Sequence, residues 1–175
     1  MAERGLDALI AISPENVTYT TGMVVPSQSL MRWRHAIAVV TGGGQVSMVV
    51  IDMEESTVKA HGGVEQLRVY REFVEEPMEK LCELLASLKL DGARLGIEME
   101  YLPGKELATL QRKLPQASLV AADEIFHGLR QVKSGAELAL LRALSKITDN
   151  AICDALKRAR PDPSRSFPAG PSTSS

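Results

Sequence analysis

The chain has 175 residues, 45% of them hydrophobic and 24% charged, with a formal net charge of −2. That composition can bury a core, and it lacks the basic surplus of proteins that grip phosphates, which argues against nucleic acid as a partner. No apolar run approaches the ~20 residues of a membrane-spanning helix, and the N-terminus carries no signal-peptide pattern. A cytoplasmic location with no membrane partner is expected.

Ala8 to Ile12 is an apolar run of strand length, preceded by Arg4-Gly5, a helix-ending pair. Ser13-Pro14-Glu15-Asn16 predicts a helix start: a hydroxyl cap, proline in the first turn and then an acidic residue. This helix ends near Gly22, and Met23 to Met31 reads as a loop. His35 to Thr41 and Gln45 to Ile51 are β-rich and separated by Gly42-Gly43-Gly44, which predicts a hairpin. Met53 to Ala60 reads as a helix and Gln66 to Tyr70 as a strand.

In Glu76 to Leu90 the apolar residues Met78, Leu81, Leu84, Leu85 and Leu88 recur with helical period. A strand at Arg94 to Glu98 and a helix after Pro103 follow. Next come a strand at Ala117 to Ala121 and a short helix capped by Asp123. A long helix, from Gly135 to Leu156, comes last. A hairpin mixed with βαβ units predicts an α/β fold: a mixed, roughly six-stranded sheet flanked by helices, plus the long C-terminal helix.

Few residues form a pattern that carries chemistry. His35, His61 and His127 stand apart, without metal-ligand spacing, and read as structural or surface residues. Cys82 and Cys153 lie in apolar helical patterns and read as small buried hydrophobes. The glycine triplet lacks the Gly-Lys-Ser/Thr of a phosphate loop. The pairs Glu54-Glu55, Glu75-Glu76 and Glu98-Glu100 read as helix-terminal or solvated charge. One cluster differs. Arg32, Trp33 and Arg34 place two arginines and the only tryptophan on a loop entering a strand. Such residues suit a ligand contact or an interface.

Three stretches carry a resemblance: GLDALIAISPENVTYTTG (Gly5 to Gly22), LGIEMEYLP (Leu95 to Pro103) and LPQASLVAADEIFHGLRQVKSGAELALLRALSKITDNAI (Leu114 to Ile152). In order and spacing they resemble the N-terminal domain of the creatinase/prolidase/aminopeptidase P family, the Xaa-Pro peptidases with a pita-bread catalytic domain. The similarity covers roughly residues 5–160. It implies a creatinase/prolidase N-terminal α/β domain, a ribonuclease H-like layer, over residues 1–130. It also implies a linker and the first helix of the catalytic domain over 131–160. After Ala159-Arg160-Pro161 the pattern is lost, as at a frame-shifted or premature end. Residues 161–175 hold four prolines and five serines, and disorder is expected there.

By the same resemblance, the family's two divalent metals, such as Mn, Co or Zn, are bound in the catalytic domain. No metal ligand and no catalytic residue is therefore expected in this chain. The expected role is a non-catalytic domain that shapes the active-site mouth and makes dimer contacts. Arg34 or Arg32 is the candidate to reach a partner subunit's substrate, with Trp33 beside them. A homodimer is expected, with a separately encoded catalytic half as a further partner. The alternatives are a free-standing peptide- or protein-interaction module and a structural subunit of a split enzyme.

Overall fold

The computed structural model describes residues 1–159; the expected disorder of 161–175 lies outside them. Two compact units are present, residues 1–131 and a second beginning at Val132.

In the first unit, among the described residues, six strands form one sheet. They are β1 (Ala8–Ala11), β2 (Ile37–Thr41), β3 (Val46–Ile51), β4 (Gln66–Tyr70), β5 (Arg94–Ile97) and β6 (Ser118–Ala121), in the order β4-β3-β2-β1-β5-β6. β1 pairs antiparallel with β2 and parallel with β5. β2 and β3 form the antiparallel hairpin that the glycine triplet predicts, and β4 and β6 add parallel edges.

Six helices belong to this unit: α1 (Pro14–Thr21), α2 (Pro26–Leu30), α3 (Glu55–His61), α4 (Pro77–Ser87), α5 (Gly104–Lys113) and α6 (Asp123–Gln131). Strand residues alternate between two cores, as the period of two requires. On one face Ile10, Ile37, Val39, Val49, Leu95 and Ile97 meet Met78, Leu81, Leu84 and Leu85 of α4 and Leu110 of α5. On the other, Leu9, Ala11, Ala38, Met48 and Val50 meet Val17 of α1, Val58 of α3 and Phe126 of α6. Each fully buried Leu or Ile contributes roughly 1.5–3 kcal/mol, so the four apolar side chains of α4 alone make that helix obligatory.

Local signals explain the helix ends. Ser13 caps α1, accepting from the Asn16 amide at 3.3 Å. Gly22 closes it at φ 73°, a conformation only glycine adopts cheaply. α2 was not foreseen. It lies in the stretch that reads as a loop and has no side-chain cap. Tertiary bonds hold it instead: Glu54 Oε1 accepts from the Ser27 amide at 2.8 Å, and Gln28 Nε2 donates to the carbonyls of Ile12 and Ala36.

In the second unit, α7 (Gly135–Arg158) starts with a capping box. The Ser134 hydroxyl accepts from the Glu137 amide, and the Glu137 carboxylate accepts from the Ser134 amide. The Ser134 hydroxyl and amide beside the Glu137 carboxylate lower its pKa. None of the α7 residues is buried.

Candidate functional site

The carboxyl ends of β1, β3, β4, β5 and β6 and the start of β2 share one edge of the sheet. In open α/β sheets this is the edge where loops form binding crevices. Three groups of interacting polar side chains lie there.

The first group is built on Glu98, just after β5. It reads from sequence as a solvated partner of Glu100, but it is 5% exposed. One oxygen, Oε2, accepts from the amides of Ile12 and Ser13 at 2.6 and 2.9 Å. The other, Oε1, accepts from Asn16 Nδ2 at 2.5 Å. Asn16 Oδ1 in turn accepts from Arg130 at 3.0 Å. The carboxylate thus stitches the end of β1 and the first turn of α1 to β5. Asp123 also departs from expectation. It does not serve simply as a cap on its own helix: its carboxylate accepts from the Met99 and Glu100 amides at 3.1 and 3.0 Å. Around these residues is a shallow polar pocket that Tyr101 and His127 also line.

The second group surrounds His35, which is 2% exposed at the entry to β2. Its Nε2 lies 2.8 Å from Glu106 Oε1 on α5. The Tyr70 hydroxyl, at the end of β4, donates to the His35 carbonyl at 3.0 Å. Burial pushes the Tyr70 pKa far above the ordinary phenol value. That shift has a definite sign. An unfolded chain releases the Tyr70 proton above about pH 10, while the folded chain keeps it, so stability falls as pH rises beyond that point. We expect alkaline titration monitored by circular dichroism to show a loss approaching ~1.4 kcal/mol per pH unit above pH 10. In Tyr70→Phe that slope should flatten, while stability at neutral pH drops by about 1–2 kcal/mol for the lost bond.

The third group holds Arg32, Trp33 and Arg34. Arg34 forms a two-pronged pair with Glu72, Nε to Oε1 at 2.7 Å and Nη2 to Oε2 at 3.0 Å. This pairing raises the Arg34 pKa. The Arg32 guanidinium lies 5.2 Å from the centre of the Tyr101 ring. Trp33 is 73% exposed, and Phe73, in the turn between β4 and α4, is 95% exposed. The two aromatics line one cleft together with Tyr70, Glu75 and Pro77.

Among the described residues no three His, Cys, Asp or Glu side chains converge as a metal ion requires. Among the described residues, no helix is long and apolar enough to cross a membrane. Cys82 is half-buried in α4, where burial pushes its thiol pKa up. Cys153 is exposed on α7, contrary to the expectation of burial.

These features define a layered α/β domain with three groups of interacting polar side chains at one edge of a mixed sheet. The chain belongs to the Creatinase/Prolidase N-terminal domain family, whose model matches residues 1–132. An uncharacterized hydrolase/peptidase of Sinorhizobium fredii, y4tM, is 26% identical over 92% of this chain. The match covers 43% of that protein, so the chain spans less than half the length of this curated relative. Among solved structures, a prolidase from Pyrococcus horikoshii superposes with a TM-score of 0.65 at 20% identity, covering 91% of this chain and 41% of its own. The N-terminal domain of an Xaa-Pro dipeptidase from Lactobacillus brevis superposes at 0.58 and 15% identity, covering 73% of this chain and 92% of its own. Both share the fold described above.

Proposed function

We propose that this chain acts as the non-catalytic N-terminal domain of an Xaa-Pro peptidase-like or creatinase-like metal-dependent hydrolase. In this reading it shapes the active-site mouth and makes dimer contacts. The observation that carries it is the family match over residues 1–132, within a chain spanning less than half of its curated relative. Residues 131–160 then serve as the linker and first helix of a catalytic domain. Of the two candidate arginines, Arg34 has its guanidinium committed to Glu72, whereas Arg32 rests one face on Tyr101 and keeps its N–H groups for a ligand. Arg32 is therefore the better substrate contact.

The test is an assay of the purified chain on Xaa-Pro dipeptides and tripeptides with added Mn²⁺, Co²⁺ or Zn²⁺. The expected result is no turnover above a metal-only blank. Turnover that follows the pure protein would overturn the reading.

The dimer contact has its own prediction. Leu140, Leu141, Leu144, Ile147 and Ile152 give α7 an exposed apolar stripe. Its seam follows Leu140, Leu144, Ile147 and Ala151, a spacing that suits a helix pair. We expect sedimentation velocity to show a dimer at tens of micromolar. Leu144→Glu combined with Ile147→Glu should convert it to a monomer without loss of helicity. A wild-type monomer at that concentration would remove α7 as the interface.

A further inference from the structure

We propose that β6, at one end of the sheet, pairs edge to edge and antiparallel with β6 of a second copy of this chain, joining two sheets into one. This contact is separate from α7. It goes beyond the reading above and does not depend on it.

β6 pairs with β5 and ends the strand order. The amides of Ser118 and Ala122 donate to the carbonyls of Ala93 and Ile97, at 3.0 and 2.9 Å, so these residues turn their backbone groups toward β5. By the alternation of a strand, the N–H and C=O groups of Leu119 and Ala121 point away from the sheet. Among the described residues, no other segment supplies them with a backbone partner. Ser118 and Ala121 are exposed and small, and Leu119 and Val120 are half-buried. Residues 117–122 read Ala-Ser-Leu-Val-Ala-Ala, with no charge, proline or glycine. Proteins ordinarily blunt a bare edge with a charge, a proline or a bulge.

The opposite edge shows such a device. The Glu65 amide donates to the Val46 carbonyl, so Gln66, Arg68 and Tyr70 turn their backbone groups outward from β4. Arg68 is the middle residue of that row, and a copy paired about it would set one guanidinium against another. β6 has no such bar and is complementary to itself. In an antiparallel pair centred on Val120, Leu119 of one copy exchanges both its backbone bonds with Ala121 of the other, and the converse. Every outward group of the strand is then used. The two Val120 side chains meet at the two-fold axis as a close, non-hydrogen-bonded pair, and β-branched neighbours of this kind favour pairing. The same patch serves both copies, as a two-fold contact requires.

The contact is small, so it forms at about several hundred micromolar, above the concentration at which α7 acts. The experiment uses the full chain carrying Leu144→Glu and Ile147→Glu, which removes the α7 contact. Sedimentation velocity should show a monomer at about 20 µM and a dimer at about 0.5 mM. Between these concentrations, amide exchange at Leu119 and Ala121, followed by NMR, should slow by about twofold or more, while that at Arg68 stays constant. Ala121→Pro removes an N–H that its own copy does not use, a change that edge strands tolerate. It should abolish the dimer and leave the circular dichroism spectrum intact. Ala121→Lys keeps the backbone, adds a charge to the edge, and should do the same. The proposal fails if the chain stays monomeric up to about 1 mM. It also fails if Ala121→Lys leaves the dimer unchanged. Slow exchange at Leu119 and Ala121 that is independent of concentration would mean that the edge is covered within one copy, and would equally overturn it.

Discussion

Replacing Glu98 with alanine should lower the stability of the α/β domain by at least about 3 kcal/mol, and its Tm by roughly 10 °C. The side chain accepts from two backbone amides and the Asn16 amide group, all within the buried junction of β1, α1 and β5. Truncation leaves those donors without an acceptor where water has little access, and each orphaned donor costs about 1–3 kcal/mol. Glu98→Gln is the sharper variant. It keeps the shape but turns one acceptor into a donor facing another donor, so it should recover only part of the loss. Thermal melts of the two variants decide the matter. A drop below about 1 kcal/mol in Glu98→Ala would mean that solvent or a rotated side chain replaces the carboxylate.

Gly96→Val should be comparably damaging, at about 3 kcal/mol. Gly96 sits in the middle of β5, opposite Leu9 in the register. A Cβ there would stand 2.7 Å from Leu9 Cδ2, 2.9 Å from Leu6 Cδ1 and 3.0 Å from Ala122 Cβ. The leucine tips can swing, but Ala122 moves only with its backbone. Gly96→Ala should therefore cost less than valine without being silent. It should cost less still in a Leu9→Ala background, where the nearest methyl is gone. A coupling of at least about 0.5 kcal/mol in that double-mutant cycle would identify the clash as the cause. Additive effects would point instead to backbone distortion.

The layers of the fold were legible because their signals are local. The hairpin follows from three glycines between two β-branched runs, α4 from leucines at helical spacing, and α1 from a capping serine followed by proline. What escaped depends on partners distant in sequence. Glu98 looks like any acidic residue after a strand until β5 is laid parallel to β1, which turns its carboxylate toward the Ile12 amide 86 residues away. Asp123 looks like a helix cap, yet it serves the amides of Met99 and Glu100. His35 reads as unremarkable and is buried against a carboxylate 71 positions later. α2 has weak local propensity and exists because Glu54 and Gln28 hold it. The Arg32–Trp33–Arg34 cluster was visible as composition. Its division of labour was not, since only the placement of Glu72 and Tyr101 commits one arginine and leaves the other accessible.

The position of β1 in the sheet also fixes an order of events during synthesis. β1 is made before the other described strands, yet it lies inside the sheet, and one of its two neighbours is β5. The hairpin can close against one side of β1 early. Its other side stays open until residues 94–98 have left the ribosome and can supply both the β5 ladder and the Glu98 carboxylate. At about 5–20 residues per second, that interval is on the order of ten seconds. Throughout it the nascent chain carries a fully apolar strand with a bare edge, the form of surface most prone to pairing with the wrong chain. Chaperone demand for this domain should therefore peak before β5 emerges and fall sharply once it has.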